Sequence, residues 1–334
     1  KMMVEISKTI DTEVGDGTTS SVVFAGALLE KAEKLLEKDV HSTLIVDGYQ
    51  AASLKALELL SKLAKSIQPD DSESLIKIAK TSSTRFDSIF LYESLSKLIV
   101  DAVLKIADKM DDGYHVDLDN LKVEKKSGGS IQDTALINGI VLDKEVVHSG
   151  MPTKIEKAKI ALVNAALEVE KTEISSEIKI SDPSQMQMFL EEENRMLKGM
   201  VDKLGSVGAN VLICQKGIDD IVQHYLSKQG ILAVRRVKES DMTKLSKATG
   251  GRITSNLDDI SENDLGSAKI VQQKKIESDK WVFIEGCKNP RSVTVLIRGG
   301  SQRVVDEADR SMHDAFYVVT VSYTHLTLPT NREV

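Results

Sequence analysis

Apolar residues recur at helical spacing through most of the first hundred positions. Between Thr18 and Lys38, Leu28, Ala32, Leu35 and Leu36 share a face, and between Thr43 and Ile67, Leu59, Leu60 and Leu63 do the same. The first segment therefore reads as an all-helical unit. Gln68-Pro-Asp-Asp-Ser72 interrupts the pattern, and two more helices follow, the second carrying Leu91, Leu95, Leu98, Ile99, Ala102, Val103 and Ile106 on one side. Asp111-Asp-Gly113 closes that unit.

The period then changes from helical to extended. Strands are predicted at Leu121 to Lys125, Leu136 to Leu142 and Lys159 to Val163, with a β-containing domain beginning near Ile137. Strand Ala209 to Cys214, helix Ile218 to Lys228, strand Ile231 to Val237 and helix Asp241 to Ala248 alternate as in a helix-covered sheet. Strands at Lys269 to Ile276, Trp281 to Cys287 and Val293 to Ile297 follow, then a helix at Gln302 to Val319. Inside this β-rich region, Ser184 to Lys203 has a long helical pattern with Met186, Phe189, Met196, Leu197 and Met200 on one stripe, entered through the turn-prone Ser181-Asp-Pro-Ser184. It reads either as a helical excursion leaving the sheet or as an ordinary core helix with a methionine stripe.

Composition narrows the class. A chain of 334 residues that is 41% hydrophobic and 28% charged can bury more than one core, so two or three domains are expected. Aromatics make up only 4%, which favours helices and aliphatic packing and a multidomain α/β or α+β class. The net charge of -7 and the lack of a dense Lys/Arg cluster speak against nucleic acid as the main partner. Cys214 and Cys287 are single and far apart, forming neither a disulfide framework nor a CxxC motif, which suits a reducing, cytoplasmic compartment. The longest apolar runs, such as Val211 to Cys214, have strand length, and none could span a bilayer. The six histidines show no metal-binding spacing.

The sharpest local motif is Gly15-Asp-Gly-Thr-Thr-Ser20, set between two helices. Glycines let a ligand approach the backbone closely, and the free N–H groups of a helix N-terminus favour an anion such as phosphate. Asp16 fits beside a phosphate only if a magnesium ion bridges the two, while the hydroxyls of Thr18, Thr19 and Ser20 can donate to phosphate oxygens. Asp-Gly is also common turn chemistry, and Thr or Ser a common N-cap, so the residues alone leave both readings open.

The stretch Lys1-Met-Met-Val-Glu-Ile-Ser-Lys-Thr-Ile-Asp-Thr-Glu-Val-Gly-Asp-Gly-Thr-Thr-Ser-Ser-Val-Val resembles the group II chaperonins of the thermosome type. Val123-Glu-Lys-Lys-Ser-Gly128, Ile178-Lys-Ile-Ser-Asp-Pro183, Gly208 to Asp220, Gln223-His-Tyr-Leu226, Ala233-Val-Arg-Arg-Val-Lys238 and Val295-Leu-Ile-Arg-Gly-Gly300 carry the likeness on to about residue 319. The resemblance implies an all-α equatorial part (1–67), a small α/β intermediate part (68–136 and 290–319), and an α/β apical domain (137–289) with a helical lid protrusion at about 172–206. It also implies an ATP-dependent chaperone that binds unfolded protein and encloses it in a double ring of like or mixed subunits, with ATP and magnesium as cofactors.

Residue by residue, the resemblance assigns Gly15, Asp16, Gly17, Thr18, Thr19 and Ser20 to a phosphate loop, with Asp16 as the magnesium ligand. Asp314, in Met312-His-Asp-Ala-Phe316, becomes the carboxylate that orients or deprotonates the attacking water. The helix at Gly217 to Lys228 would offer Ile218, Ile221, Val222, Tyr225 and Leu226 to clients, and Met186, Phe189, Met196 and Met200 would belong to the lid. Taken by itself, Asp314 is an acid on an amphipathic helix, and about half of the client-facing set is expected to pack that helix on its sheet.

Two departures from the family pattern stand out. The loop Thr84-Arg-Phe-Asp87 has Arg85 where the family usually carries a phosphate-sensing lysine, and a guanidinium fork is not equivalent to an ammonium. Residues 320–334 match nothing expected there, and the chain reads as an interior piece of such a subunit. From this an unstable equatorial part, a folded apical domain and no useful ATP turnover by the chain alone are expected, with an ATP-independent client-binding module as the alternative.

Overall fold

The computed structural model describes residues 1–64, 71–82, 89–110, 113–168, 183–288 and 292–325. The backbone divides into two compact units, residues 1–116 with 306–334, and residues 117–305.

The first unit opens with three helices, α1 (Met2–Val14), α2 (Thr18–Leu36) and α3 (Ser42–Leu63). Gly15 ends α1 in the left-handed conformation, φ 74°, which a glycine adopts without strain. The His41 side chain caps α3 by accepting from Thr43 N–H at 3.3 Å, and Tyr49 on α3 donates to the Leu28 carbonyl of α2 at 2.6 Å. Across these three helices Ile45 is the one buried residue. Two better-packed helices follow, α4 (Ser72–Ser82) and α5 (Ile89–Ile106), burying Leu75 and Ala79 on one and Leu95, Ile99, Ala102, Val103 and Ile106 on the other. Of the predicted apolar face of α5, these five residues are core, Leu98 is half-buried, and the Leu91 side chain lies outside what is described. Directly after α5 the chain forms a hairpin, β1 (Ala107–Met110) with β2 (Gly113–Val116), where only a helix end was expected.

The second unit holds two sheets. In the smaller, β3 (Leu121–Ser127) lies parallel to β12 (Val293–Gly299), whose other edge pairs antiparallel with β4 (Ala135–Ile137). In the larger, β5 (Gly139–Leu142), β11 (Asp279–Cys287), β10 (Gly266–Ile276), β6 (Lys154–Val163), β7 (Val211–Cys214) and β8 (Leu232–Val234) lie side by side in that order, with β9 (Ile253–Thr254) joining the far end of β6. The strand expected at Leu136 to Leu142 is therefore split between the two sheets. The break falls at Asn138, and Gly139 opens β5 at φ 144°, where any side chain would overlap the Ile284 carbonyl.

Strands β6, β7, β8 and β9 are mutually parallel, as the strand–helix alternation predicted, and the connecting helices cover both faces. On one face α8 (Glu239–Thr249) packs Met242, Leu245 and Ala248 against Ile160, Leu162, Ile213 and Val234. On the other, α6 (Pro183–Ser206) and α7 (Asp220–Lys228) bring Leu197, Val201, Leu204, Val222 and Leu226 against Ala161, Val163, Leu212 and Ala233. The alternation of strand residues between these two cores follows the period of two. The last helix, α9 (Gln302–His325), does not break at Val319: Val319 and Tyr323 are both buried, and the Tyr323 ring meets Tyr114 edge-on at 5.1 Å. The class is multidomain α/β.

Candidate functional site

The Gly15–Ser20 motif forms the tight turn between α1 and α2. Gly17 precedes α2 with φ 85°, and no side chain caps that helix. The first helical bond of α2 runs from Ser21 N–H to the Gly17 carbonyl at 2.9 Å, so the N–H groups of Thr18, Thr19 and Ser20 face outward ahead of it, as helix geometry requires. Asp16, Thr19 and Ser20 are exposed, and a side chain at Gly17 would meet nothing within 4 Å. The turn thus leaves open space directly before a helix N-terminus, where the backbone favours an anion. The Asp16 carboxylate is anchored on both oxygens: Gly17 N–H donates to Oδ1 at 2.6 Å, and Ser82 Oγ at the end of α4 donates to Oδ2 at 3.0 Å. A hard carboxylate oxygen flanked by three hydroxyl-bearing residues is the donor chemistry of a magnesium-phosphate site.

Helix α9 meets this turn. A β-carbon on Gly15 would overlap Tyr317 Cβ and lie 2.5 Å from Tyr317 Cγ, so Tyr317 occupies the space left by the missing side chain. Asp314 lies three residues earlier on α9, partly buried, and shares that helical face. His313, four residues before Tyr317, places its ring against the tyrosine at 4.7 Å. Gly15 and Tyr317, 302 positions apart in the chain, are thereby brought together. The loop Thr84–Asp87 lies outside the described residues.

The five candidate client residues divide. Ile218, Val222 and Leu226 are buried at 2%, 0% and 0% exposure in the core beneath α7, which corrects their assignment to a client surface: one face of an amphipathic helix must cover its sheet. Ile221 is 42% exposed, and Tyr225 is half-buried at the edge of the same core. On α6, Phe189 and Met196 are 53% and 51% exposed, Met200 is half-buried against the core, and Met186 lies within the helix. Met188, which the stripe did not include, is 69% exposed. The part of the excursion before residue 183 lies outside the described residues.

A cluster that sequence reasoning missed lies between β3, β5 and α8. Glu124, Asp143 and Asp241 bring carboxylate oxygens within 4.8 Å of one another, a spacing that suits a metal ion. The buried Lys122 ammonium stands among them, 2.9 Å from Glu124 and 2.8 Å from Asp241, and donates to the Val141 carbonyl at 2.6 Å. An ammonium with three acceptors already supplies the cation. Nearby, burial pushes the Lys244 ammonium below its ordinary range while it donates to the Leu121 carbonyl at 2.8 Å. Only the fold brings these residues together, and nothing in their spacing along the chain announces it.

An α/β protein with a glycine-rich turn at a helix N-terminus, an acid-bearing helix packed on that turn and a separate helix-covered sheet is the class so defined. The chain belongs to the TCP-1/cpn60 chaperonin family, whose model matches residues 1–328. It is 56% identical over 319 residues to thermosome subunit alpha of Archaeoglobus fulgidus, and 55% identical over 322 residues to a thermosome subunit of Methanopyrus kandleri. These matches cover 96% of the chain and 58% and 59% of the relatives, so the chain spans about three-fifths of their length. Among solved structures, the open-state monomer of a group II chaperonin from Methanococcoides burtonii matches 92% of this chain and 71% of its own at 43% identity, with a TM-score of 0.68. The resemblance carried by the sequence motifs is thereby shown.

Proposed function

We propose that this chain is part of an ATP-dependent chaperonin subunit that captures unfolded protein and encloses it in a double ring built with other chaperonin subunits in the cytoplasm. The observation that carries the reading is the packing of Tyr317, one helical turn from Asp314, on the Gly15–Ser20 turn. Hydrolysis of a terminal phosphate needs bound phosphate oxygens, neutralised charge and a positioned water. Backbone N–H groups and hydroxyls of Thr18, Thr19 and Ser20 bind the phosphate oxygens, with Gly15 and Gly17 allowing their approach. Asp16 holds magnesium, which supplies the charge neutralisation. Asp314 accepts a hydrogen bond from the attacking water and takes its proton.

Residues 1–67 form the equatorial part, 68–136 and 290–319 the intermediate part, and 137–289 the apical domain, with a lid protrusion over about 172–206. Exposed Met188, Phe189 and Met196 on α6 support the lid, since adaptable apolar side chains suit a surface that contacts varied partners. Ile221 and Tyr225 remain the client contacts on α7.

The test is Asp314→Ala in the assembled protein. ATP binding should persist while turnover falls by about 10²- to 10⁴-fold, the usual contribution of a positioned general base. Unchanged turnover would remove Asp314, and with it this reading of the site.

A further inference from the structure

We propose that Tyr317 is a positioning residue that fixes Asp314 over the phosphate turn. The inference rests on the ATPase reading above and adds a residue to which the sequence motifs assign no role.

Gly15 is buried, closes α1 in the left-handed conformation and begins the phosphate turn. The absence of a side chain there is matched by Tyr317: its Cβ and Cγ fill the position that a Gly15 side chain would take. Helix α9 therefore packs on the turn at this contact. The tyrosine is half-buried, and its ring is braced by the exposed His313 ring at 4.7 Å, tilted 39°. In a helix, residues three and four apart share a face, so His313, Asp314 and Tyr317 all belong to the side that meets the turn. Asp314 stands about 4.5 Å along the axis from the contact, at about 1.5 Å per residue. The inner side of α9 is anchored independently, since Met312, Ala315, Phe316 and Val319 are all buried. The core thus fixes the helix in the fold, while Tyr317 sets its height and rotation above the loop.

That distinction matters for catalysis. A carboxylate that aligns water for in-line attack is sensitive to displacement, and about 1 Å of misplacement costs on the order of 100-fold in rate. Removing the ring leaves Cβ against Gly15 but takes away the Cγ and ring part of the contact and the His313 brace, without touching phosphate, magnesium or water. The loss should appear in the turnover step and leave nucleotide binding alone.

Tyr317→Ala, Tyr317→Phe and Asp314→Ala would be compared in the assembled protein for kcat and KM with magnesium-ATP. The expected result is a fall in kcat of about tenfold for Tyr317→Ala at unchanged KM, with near wild-type kcat restored by Tyr317→Phe, which keeps the ring. A merely structural role would not give this split or this rescue. Should Tyr317→Ala fail to assemble, His313→Ala removes the exposed brace alone and should lower kcat in the same way. Wild-type kcat in folded Tyr317→Ala or His313→Ala, beside lost turnover in Asp314→Ala, overturns the positioning role and leaves the ATPase reading intact. Full turnover in Asp314→Ala overturns both.

Discussion

Helices α1 to α3 and the large sheet of residues 117–305 use similar amounts of aliphatic sequence to opposite ends. Strands β6, β7 and β8 bury nearly every apolar side chain in two cores, one on each face. The three helices bury Ile45 alone and leave Val23, Phe24, Leu29, Leu54, Leu57, Leu60 and Leu63 between 58% and 79% exposed. A buried ion pair also separates the two, although both carry exposed ones. In the sheet-bearing unit Lys122 is interred among carboxylates, whereas α2 and α3 carry surface pairs such as Lys34–Glu30, with both side chains more than half exposed. One region is thus self-sufficient, while the other presents amphipathic faces that nothing among the described residues covers.

The largest expected contrast is between the two kinds of ion pair. Lys122→Ala removes the ammonium that stands between Glu124 and Asp241, and breaking a buried pair typically costs about 3–5 kcal/mol. Lys34→Ala should cost less than about 0.5 kcal/mol, because an exposed pair four residues apart gains little over hydration. Urea unfolding followed by a probe in the sheet-bearing unit measures the first, and helical circular dichroism the second. Equal effects would mean that burial of Lys122 is not what distinguishes the units.

How far this contrast was legible in the sequence depends on the element. The 3.6-residue period gave the helices and the core face of α5, because periodicity reports which side of an element is apolar. It does not report whether a partner is present, so α2 and α5 look alike in pattern and differ entirely in burial. The same limit explains Ile218, Val222 and Leu226: their period marked an amphipathic helix, but only the sheet beneath decides which face is free. The short β1–β2 hairpin and β9 fell below the length at which alternation can be recognised. The turn at Gly15–Ser20 was visible because its chemistry is contiguous, and Asp314 only through family resemblance. Tyr317 and Ser82 gave no local signal, since the residues they touch lie 302 and 66 positions away.

A smaller but more direct comparison is Ile213→Ala on β7 against Leu57→Ser on α3. Ile213 is fully buried, and deleting its outer methyl groups removes apolar contact and opens a cavity, for a cost of about 2–5 kcal/mol. Leu57 is 58% exposed, so its replacement should change stability by no more than about 0.5 kcal/mol and reduce self-association. Denaturation midpoints and light scattering would measure both. A strongly destabilised Leu57→Ser would show that this face is covered in solution.

The smallest effect is confined to alkaline pH and tests how dry the sheet's interior is. Cys214 at the end of β7 is fully buried, and desolvation raises its thiol from 9.0 to about 11. Since the folded state holds this proton more tightly than the unfolded one, its contribution is fully present below pH 9 and is lost as pH rises from 9 towards 11. Two pH units at about 1.4 kcal/mol each set the limit at about 2.7 kcal/mol. Other groups titrate in the same range, so the informative quantity is the stability difference between the parent chain and Cys214→Ala. That difference should be constant from pH 7 to 9, then move against the parent as pH rises further. A difference that stays flat to pH 11 would mean that the thiol ionises without unfolding, and that water reaches the end of β7 between the Ala165 carbonyl, 3.2 Å from the sulfur, and the Gly217 carbonyl, 3.8 Å away.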